Sequence, residues 1–162
     1  MLALGAFPAF ATPADDLVKQ GQAALGVEDV AGAMKAFDAA LDADPKNAKA
    51  AYERGRINLV LHKNAEAIAD FTTAVLSDPT FGAAYSARGE VKMILKDEKG
   101  GFADFDAGIK ASPNVPDVYI LRATYLLGKG DVSAAKADLQ SARKVSGADM
   151  ALMLDAMINS MK

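Results

Sequence analysis

Residues 48–81 read AKAAYERGRINLVLHKNAEAIADFTTAVLSDPTF, and the chain restates this pattern at a spacing of 34 residues. The dipeptides Asp44-Pro45, Asp78-Pro79 and Ser112-Pro113 mark the spacing and divide the chain into units 14–47, 48–81, 82–115 and 116–149. The eighth residue of each unit is Gly21, Gly55, Gly89 or Ala123. The twentieth is Ala33, Ala67, Gly101 or Ala135, and the twenty-seventh is Ala40, Ala74, Gly108 or Ala142. Position twenty-four carries Phe37, Phe71, Phe105 and Leu139. Two antiparallel helices approach closely only where side chains are small, and a large side chain then fills the space between neighbouring pairs. Proline closes the first three units, because it lacks an amide hydrogen and disfavours helix in the residue before it.

Over residues 14–149 these columns resemble the tetratricopeptide repeat family. The resemblance implies an all-α, right-handed superhelical solenoid of four helix pairs. The sequence departs from the family at position four, where Tyr85 and Tyr119 are joined by Leu17 and Ala51. It departs again at position eleven, which holds Ala24, Asn58, Lys92 and Leu126, and at Gly147, which replaces the last proline. Gly100, Gly101 and Gly108 fall in one predicted helix at roughly 1 kcal/mol each relative to alanine, so repeat three is expected to be the softest. Residues 150–162 continue as a ninth helix. Met150, Met153, Leu154, Met157, Ile158 and Met161 form its apolar stripe, and Asp155, Asn159, Ser160 and Lys162 its polar face. A cap with a polar outer face is expected, since a solenoid exposes apolar surface at its open end. A methionine-rich docking surface is the other reading.

Composition narrows the function. The chain has 162 residues, 51% of them hydrophobic, and a net charge of −3, without the clustered basic surface that nucleic acids require. There is no cysteine, and the single histidine, His62, sits beside Lys63 at a predicted turn with no second ligand for a metal. Lys99-Gly100-Gly101-Phe102 lacks the spacing of a phosphate loop. Asp42, Asp44, Asp97 and Glu98 sit at helix ends or on polar faces. No catalytic set, cofactor or metal is expected, and the chain reads as a protein-binding scaffold or adaptor rather than an enzyme.

By the family resemblance, the first helix of each repeat lines a concave groove that takes a peptide or partner protein. Its matching positions are Val18 and Gln22 in repeat one, and Tyr52, Glu53 and Arg56 in repeat two. Repeat three supplies Ser86, Ala87, Glu90 and Met93, and repeat four Ile120, Leu121 and Thr124. Relatives that grip acidic chaperone tails use a clamp of lysines, asparagines and an arginine. The corresponding Val18, Gln22, Glu53, Ala83 and Ala87 do not supply it, and Glu53 repels a carboxylate. Position seven (Gln20, Arg54, Arg88, Arg122) and position twenty-three (Ala36, Asp70, Asp104, Asp138) change together. Pairing within each repeat leaves no charge over, so these residues read as a structural ladder rather than an anion site.

Residues 1–11 stand outside the register. The uncharged run from Leu2 to Phe10 is too short to span a bilayer, and Ala9-Phe10-Ala11 followed by Thr12-Pro13 has the form of a signal-peptide end. Export to a bacterial periplasm is expected, with the mature chain starting at Thr12 and a basic segment preceding Met1 in the precursor. Otherwise the run is an apolar arm over the first repeat and the protein is cytoplasmic. No membrane span is expected in the mature chain. Weak self-association, or a stable homo-oligomer or envelope complex built through the groove or the terminal helix, is the alternative to a monomeric adaptor.

Overall fold

A computed structural model describes residues 12–161, so the expectations placed on residues 1–11 lie outside the described residues. The described residues form nine helices and no strand. They are α1 (Pro13–Gly26), α2 (Val30–Ala43), α3 (Ala48–Val60), α4 (Asn64–Ser77), α5 (Gly82–Ile94), α6 (Glu98–Ala111), α7 (Pro116–Gly128), α8 (Val132–Val145) and α9 (Ala148–Ser160). Sequential neighbours pack as antiparallel pairs, and the pairs stack as a helical solenoid. Thr12 opens α1 as expected, its hydroxyl accepting from the Asp15 amide while its own amide donates to the Asp15 carboxylate at 2.9 Å.

All four turns within the pairs are built alike. In α3, the His62 amide donates to the Leu59 carbonyl and the Lys63 amide to the Asn58 carbonyl, the two bonds of a Schellman closure. That closure needs a left-handed residue, and position fifteen supplies it as Glu28 (φ 60°), His62 (58°), Lys96 (66°) and Gly130 (81°). Only repeat four uses glycine there. The next residue caps the following helix: the carboxylates of Asp29, Asp97 and Asp131 accept from the amides of Gly32, Gly100 and Ala134. Repeat two has Lys63, which makes no capping bond. Giving repeat two the Gly130-Asp131 solution, His62→Gly with Lys63→Asp, is expected to stabilise the protein by about 1–2 kcal/mol. A higher urea midpoint at unchanged slope checks this.

The core consists of the columns read from the sequence. Phe37, Phe71, Phe105 and Leu139 are buried, as are the alanines at positions twenty and twenty-seven. Each phenylalanine ring lies over the glycine at position eight of its own repeat. A Cβ on Gly21 would stand 2.5 Å from the Phe37 ring, one on Gly55 2.8 Å from Phe71, and one on Gly89 2.8 Å from Phe105. Repeat four replaces ring by leucine and glycine by alanine together, in Leu139 and Ala123. In repeat three the backbones meet as well: a Cβ on Gly101 would lie 3.1 Å from the Gly89 carbonyl oxygen, and one on Gly108 3.0 Å from that of Gly82. Gly101 and Gly108 are therefore packing positions, and Gly100 fits under the Asp97 cap, where a Cβ would collide with the capping carboxylate.

The charge ladder pairs within repeats. Arg54, Arg88 and Arg122 each grip their own aspartate through Nε and Nη2, as in Arg88 to Asp104 at 2.9 and 2.7 Å. The free Nη1 of each arginine reaches the preceding repeat. It donates to Asp38 at 2.8 Å from Arg54, to the Thr72 hydroxyl at 3.3 Å from Arg88, and to Asp106 from Arg122. Each arginine thus stands sixteen residues from both of its partners and joins two repeats. The variable position eleven adds a second donor to the buried carboxylate, Asn58 to Asp70 at 2.9 Å and Lys92 to Asp104 at 2.8 Å.

The ninth helix corrects one expectation. It starts at Ala148 and buries Leu154 and Ile158 against α7 and α8, with Met161 partly covered. Met150, Leu152, Met153 and Met157 are exposed beside Asn159 and Ser160, so the outer face is mixed rather than polar throughout. The apolar contact with the array runs along Leu154, Ile158 and Met161, and the other methionines stand beside it. Asp155, assigned to the outer face, pairs with Arg143 of α8.

Candidate functional site

The odd-numbered helices stand side by side on one wall, which carries two hollows. The first, about 340 Å³, lies between the end of α1, the start of α2, α3 and α5. Its walls include Leu25, Ile57 and Leu59, with Val30, Val60 and Leu61 exposed at its edge. The second, about 400 Å³, lies across α3, α5 and α7, between Ala83, Val118, Ile120, Leu121 and Thr124, with exposed Val115 and Asp117 at its mouth. Tyr52, Ala87 and Glu90 belong to both, so the two hollows make one groove over all four repeats. The Tyr52 ring is held by Phe81, 4.7 Å away between centroids, and by Phe71 at 5.9 Å.

Most of the residues chosen from the sequence line this groove, Ser86 at its floor, but Val18, Gln22 and Met93 are placed otherwise. Val18 is 3% exposed, in the core with Phe37, Ala50 and Ile57. Gln22 donates to Glu53 at 2.9 Å and so lies behind the first hollow as a support. Met93 turns toward α6, its sulfur 2.5 Å from where a Cβ on Gly101 would be. Ser86 lines the floor of the second hollow, buried with its hydroxyl toward Gly108, and that oxygen has no hydrogen-bond partner among the described residues. Conversely, the apolar edge formed by Val30, Val60 and Leu61 was not selected from the sequence. An exposed apolar pair at the end of a first helix was the signal available for it.

The charges in the groove are not equivalent. Glu53 is buried and accepts from Gln22 and, at 3.0 Å, from Arg56. Arg56 also lies 5.8 Å from the centre of the Tyr52 ring. Glu90 has no hydrogen-bond or ion-pair partner among the described residues, and half-burial raises its carboxyl above the ordinary glutamate value. Burial likewise raises the Tyr52 and Tyr125 hydroxyls, and the negative charge of Glu90 adds to both shifts. A carboxyl raised in the folded state favours folding when protonated. That gain is full below the unfolded value of about 4.3 and is lost as pH climbs through the raised value. Glu90→Gln is therefore expected to be more stable than the parent at neutral pH, with the advantage fading below about pH 4. Melting temperatures across that range, with Tyr52, Glu53, Arg56, Asp117 and Tyr125 unchanged around it, check the sign.

Among the described residues, no group of histidine and carboxylate side chains is arranged to hold a metal ion, and no helix is long and apolar enough to cross a membrane. Residues 18–80 match the tetratricopeptide repeat family. No curated protein matches the sequence. Among solved structures, the chain is similar to MamA from Desulfovibrio magneticus, at 18% identity and a TM-score of 0.68, covering 82% of this chain and 75% of that one. The first tetratricopeptide domain of Spaghetti (RPAP3), solved with the HSP90 peptide SRMEEVD, is 21% identical with a TM-score of 0.62, covering 81% and 96%. Thermobaculum terrenum O-GlcNAc transferase is 19% identical with a TM-score of 0.73, covering 81% of this chain and 26% of the transferase. At such identities the likeness is one of fold.

Proposed function

We propose, from the premise that the chain is a tetratricopeptide-repeat protein, that it is a non-catalytic scaffold whose concave groove holds a segment of a partner protein. One observation carries this reading: two largely apolar hollows meet at Tyr52, Ala87 and Glu90 and form a continuous trough across four repeats. Apolar hollows anchor side chains, and the few polar groups between them set orientation. The peptide held by the Spaghetti domain is acidic, whereas this groove presents Glu53, Glu90 and Asp117, so the two ligands differ in charge. A photo-crosslinking residue in place of Ala87, expressed in the native host, should trap a partner that the same residue at outward-facing Leu76 does not. Capture from Leu76 alone would move the binding surface to the outside of the solenoid.

The proposal includes export to the periplasm, supported by the Leu2–Phe10 run and the Ala9-Phe10-Ala11 triplet. Mass spectrometry of the protein from its host should find Thr12 as the first residue, and a chain retaining Phe7 and Phe10 in the cytosol refutes export. A second reading, a structural subunit assembled through α9, is favoured by the exposed Met150, Leu152, Met153 and Met157. Light scattering separates them, since a stable assembly that Met153→Asp dissociates supports the second.

A further inference from the structure

Resting on that reading of the groove, we propose that its ligand is a peptide segment carrying a lysine or arginine side chain between apolar residues, with the cation seated on Glu90. The lining of the two hollows contains one cation, Arg56, against three carboxylates, Glu53, Glu90 and Asp117. Arg56 is taken up by Glu53. Glu90 is left at the junction, half-buried and without a cation among the described residues, and Asp117 adds a second negative charge in the farther hollow.

A partly desolvated carboxylate is costly until an opposite charge reaches it, and a charge-assisted hydrogen bond is stronger there than in water. Tyr52, from the preceding repeat, lines both hollows together with Glu90. A ring beside a carboxylate suits a lysine or arginine, which adds cation–π attraction to the ion pair. On one side of Glu90 the groove ends at Val30, Val60 and Leu61, and on the other at Val115, all exposed. The order along the trough is thus apolar, anionic at Glu90, then apolar again with Asp117 beside Val115. An acidic segment would meet the uncompensated Glu90 at its centre.

A random-peptide display library panned on the full chain, with counter-selection on Ala87→Trp and Thr124→Trp variants, supplies the probes. Circular dichroism verifies that both blocked variants are folded. Enriched peptides, made synthetically with a fluorescent label, should carry a lysine or arginine flanked by apolar residues. Glu90→Gln should weaken them by about tenfold to a hundredfold, the range for a hydrogen bond to a charged group. Replacing the peptide's cation by methionine should cost as much against the parent and nothing further against Glu90→Gln. Groove-dependent peptides that lack a cation, or that ignore Glu90→Gln, overturn the inference and leave the groove reading standing. Failure to enrich any peptide that the blocked variants reject removes both.

Discussion

Asp104→Ala is expected to destabilise the protein by about 3–5 kcal/mol, the largest effect of any single ladder substitution. Burial alone would raise the Asp104 carboxyl, but the hydrogen bonds from Arg88 and Lys92 outweigh it and hold it below the usual carboxylate range. Alanine leaves two cations between α5 and α6. Arg88 would keep only the Thr72 hydroxyl at 3.3 Å, and Lys92 would keep nothing among the described residues. Asp138→Ala should cost less, because Arg122 retains Asp106 and no lysine is stranded. A carboxyl lowered in the folded state contributes stability above its unfolded value of about 3.9, and that contribution is lost as pH falls through the lowered value. The urea-unfolding difference between parent and Asp104→Ala should therefore be full at neutral pH and narrow below about pH 4. A full-sized difference at strongly acid pH would show that packing, not charge, sets the cost.

Gly21→Ala is expected to cost about 1–3 kcal/mol, and a Phe37→Leu background should absorb most of that cost. All three nearest atoms to a Cβ at Gly21 belong to the Phe37 ring, at 2.5, 2.7 and 2.9 Å. Repeat four already holds the compensated pair, Ala123 with Leu139, and buries both. The same exchange should fail in repeat three. There a Cβ at Gly89 meets the Gly101 carbonyl oxygen at 2.9 Å as well as Phe105, and shortening the ring does not move a backbone. Double-mutant cycles on the two repeats, read by denaturant unfolding, should give strong coupling for Gly21 with Phe37 and weaker coupling for Gly89 with Phe105.

The fold was legible because one spacing orders every column that packs. Proline, the small residues and the phenylalanines recur in register, and each has a single geometric use. The ladder was half legible. Matching arginine with aspartate inside a repeat identified one arm of each guanidinium, while the arm to Asp38, Thr72 and Asp106 was hidden because its column changes chemistry from carboxylate to hydroxyl. The groove was less legible, because position alone does not say how far a side chain rises. At position five, Val18 and Ser86 are short and stay in the floor, while Tyr52 and Ile120 reach the hollows. The isolation of Glu90 depends on which carboxylate takes Arg56, and only the arrangement in space decides between Glu53 and Glu90.

Because each of Arg54, Arg88 and Arg122 is equidistant along the chain from its two partners, the linkage obeys a rule that is indifferent to array length. A unit such as 82–115 carries its own arginine and aspartate and also presents Asp106 to whatever follows. Duplicated in tandem, the copy's arginine would meet Asp106 of the original, and the next repeat's Arg122 would meet the aspartate of the copy. Both new junctions would then be ionic. A duplicate of 48–81 would instead offer Thr72 at both junctions and join by a neutral contact. A tandem copy of 82–115 would thus be joined by ionic contacts and one of 48–81 by neutral ones.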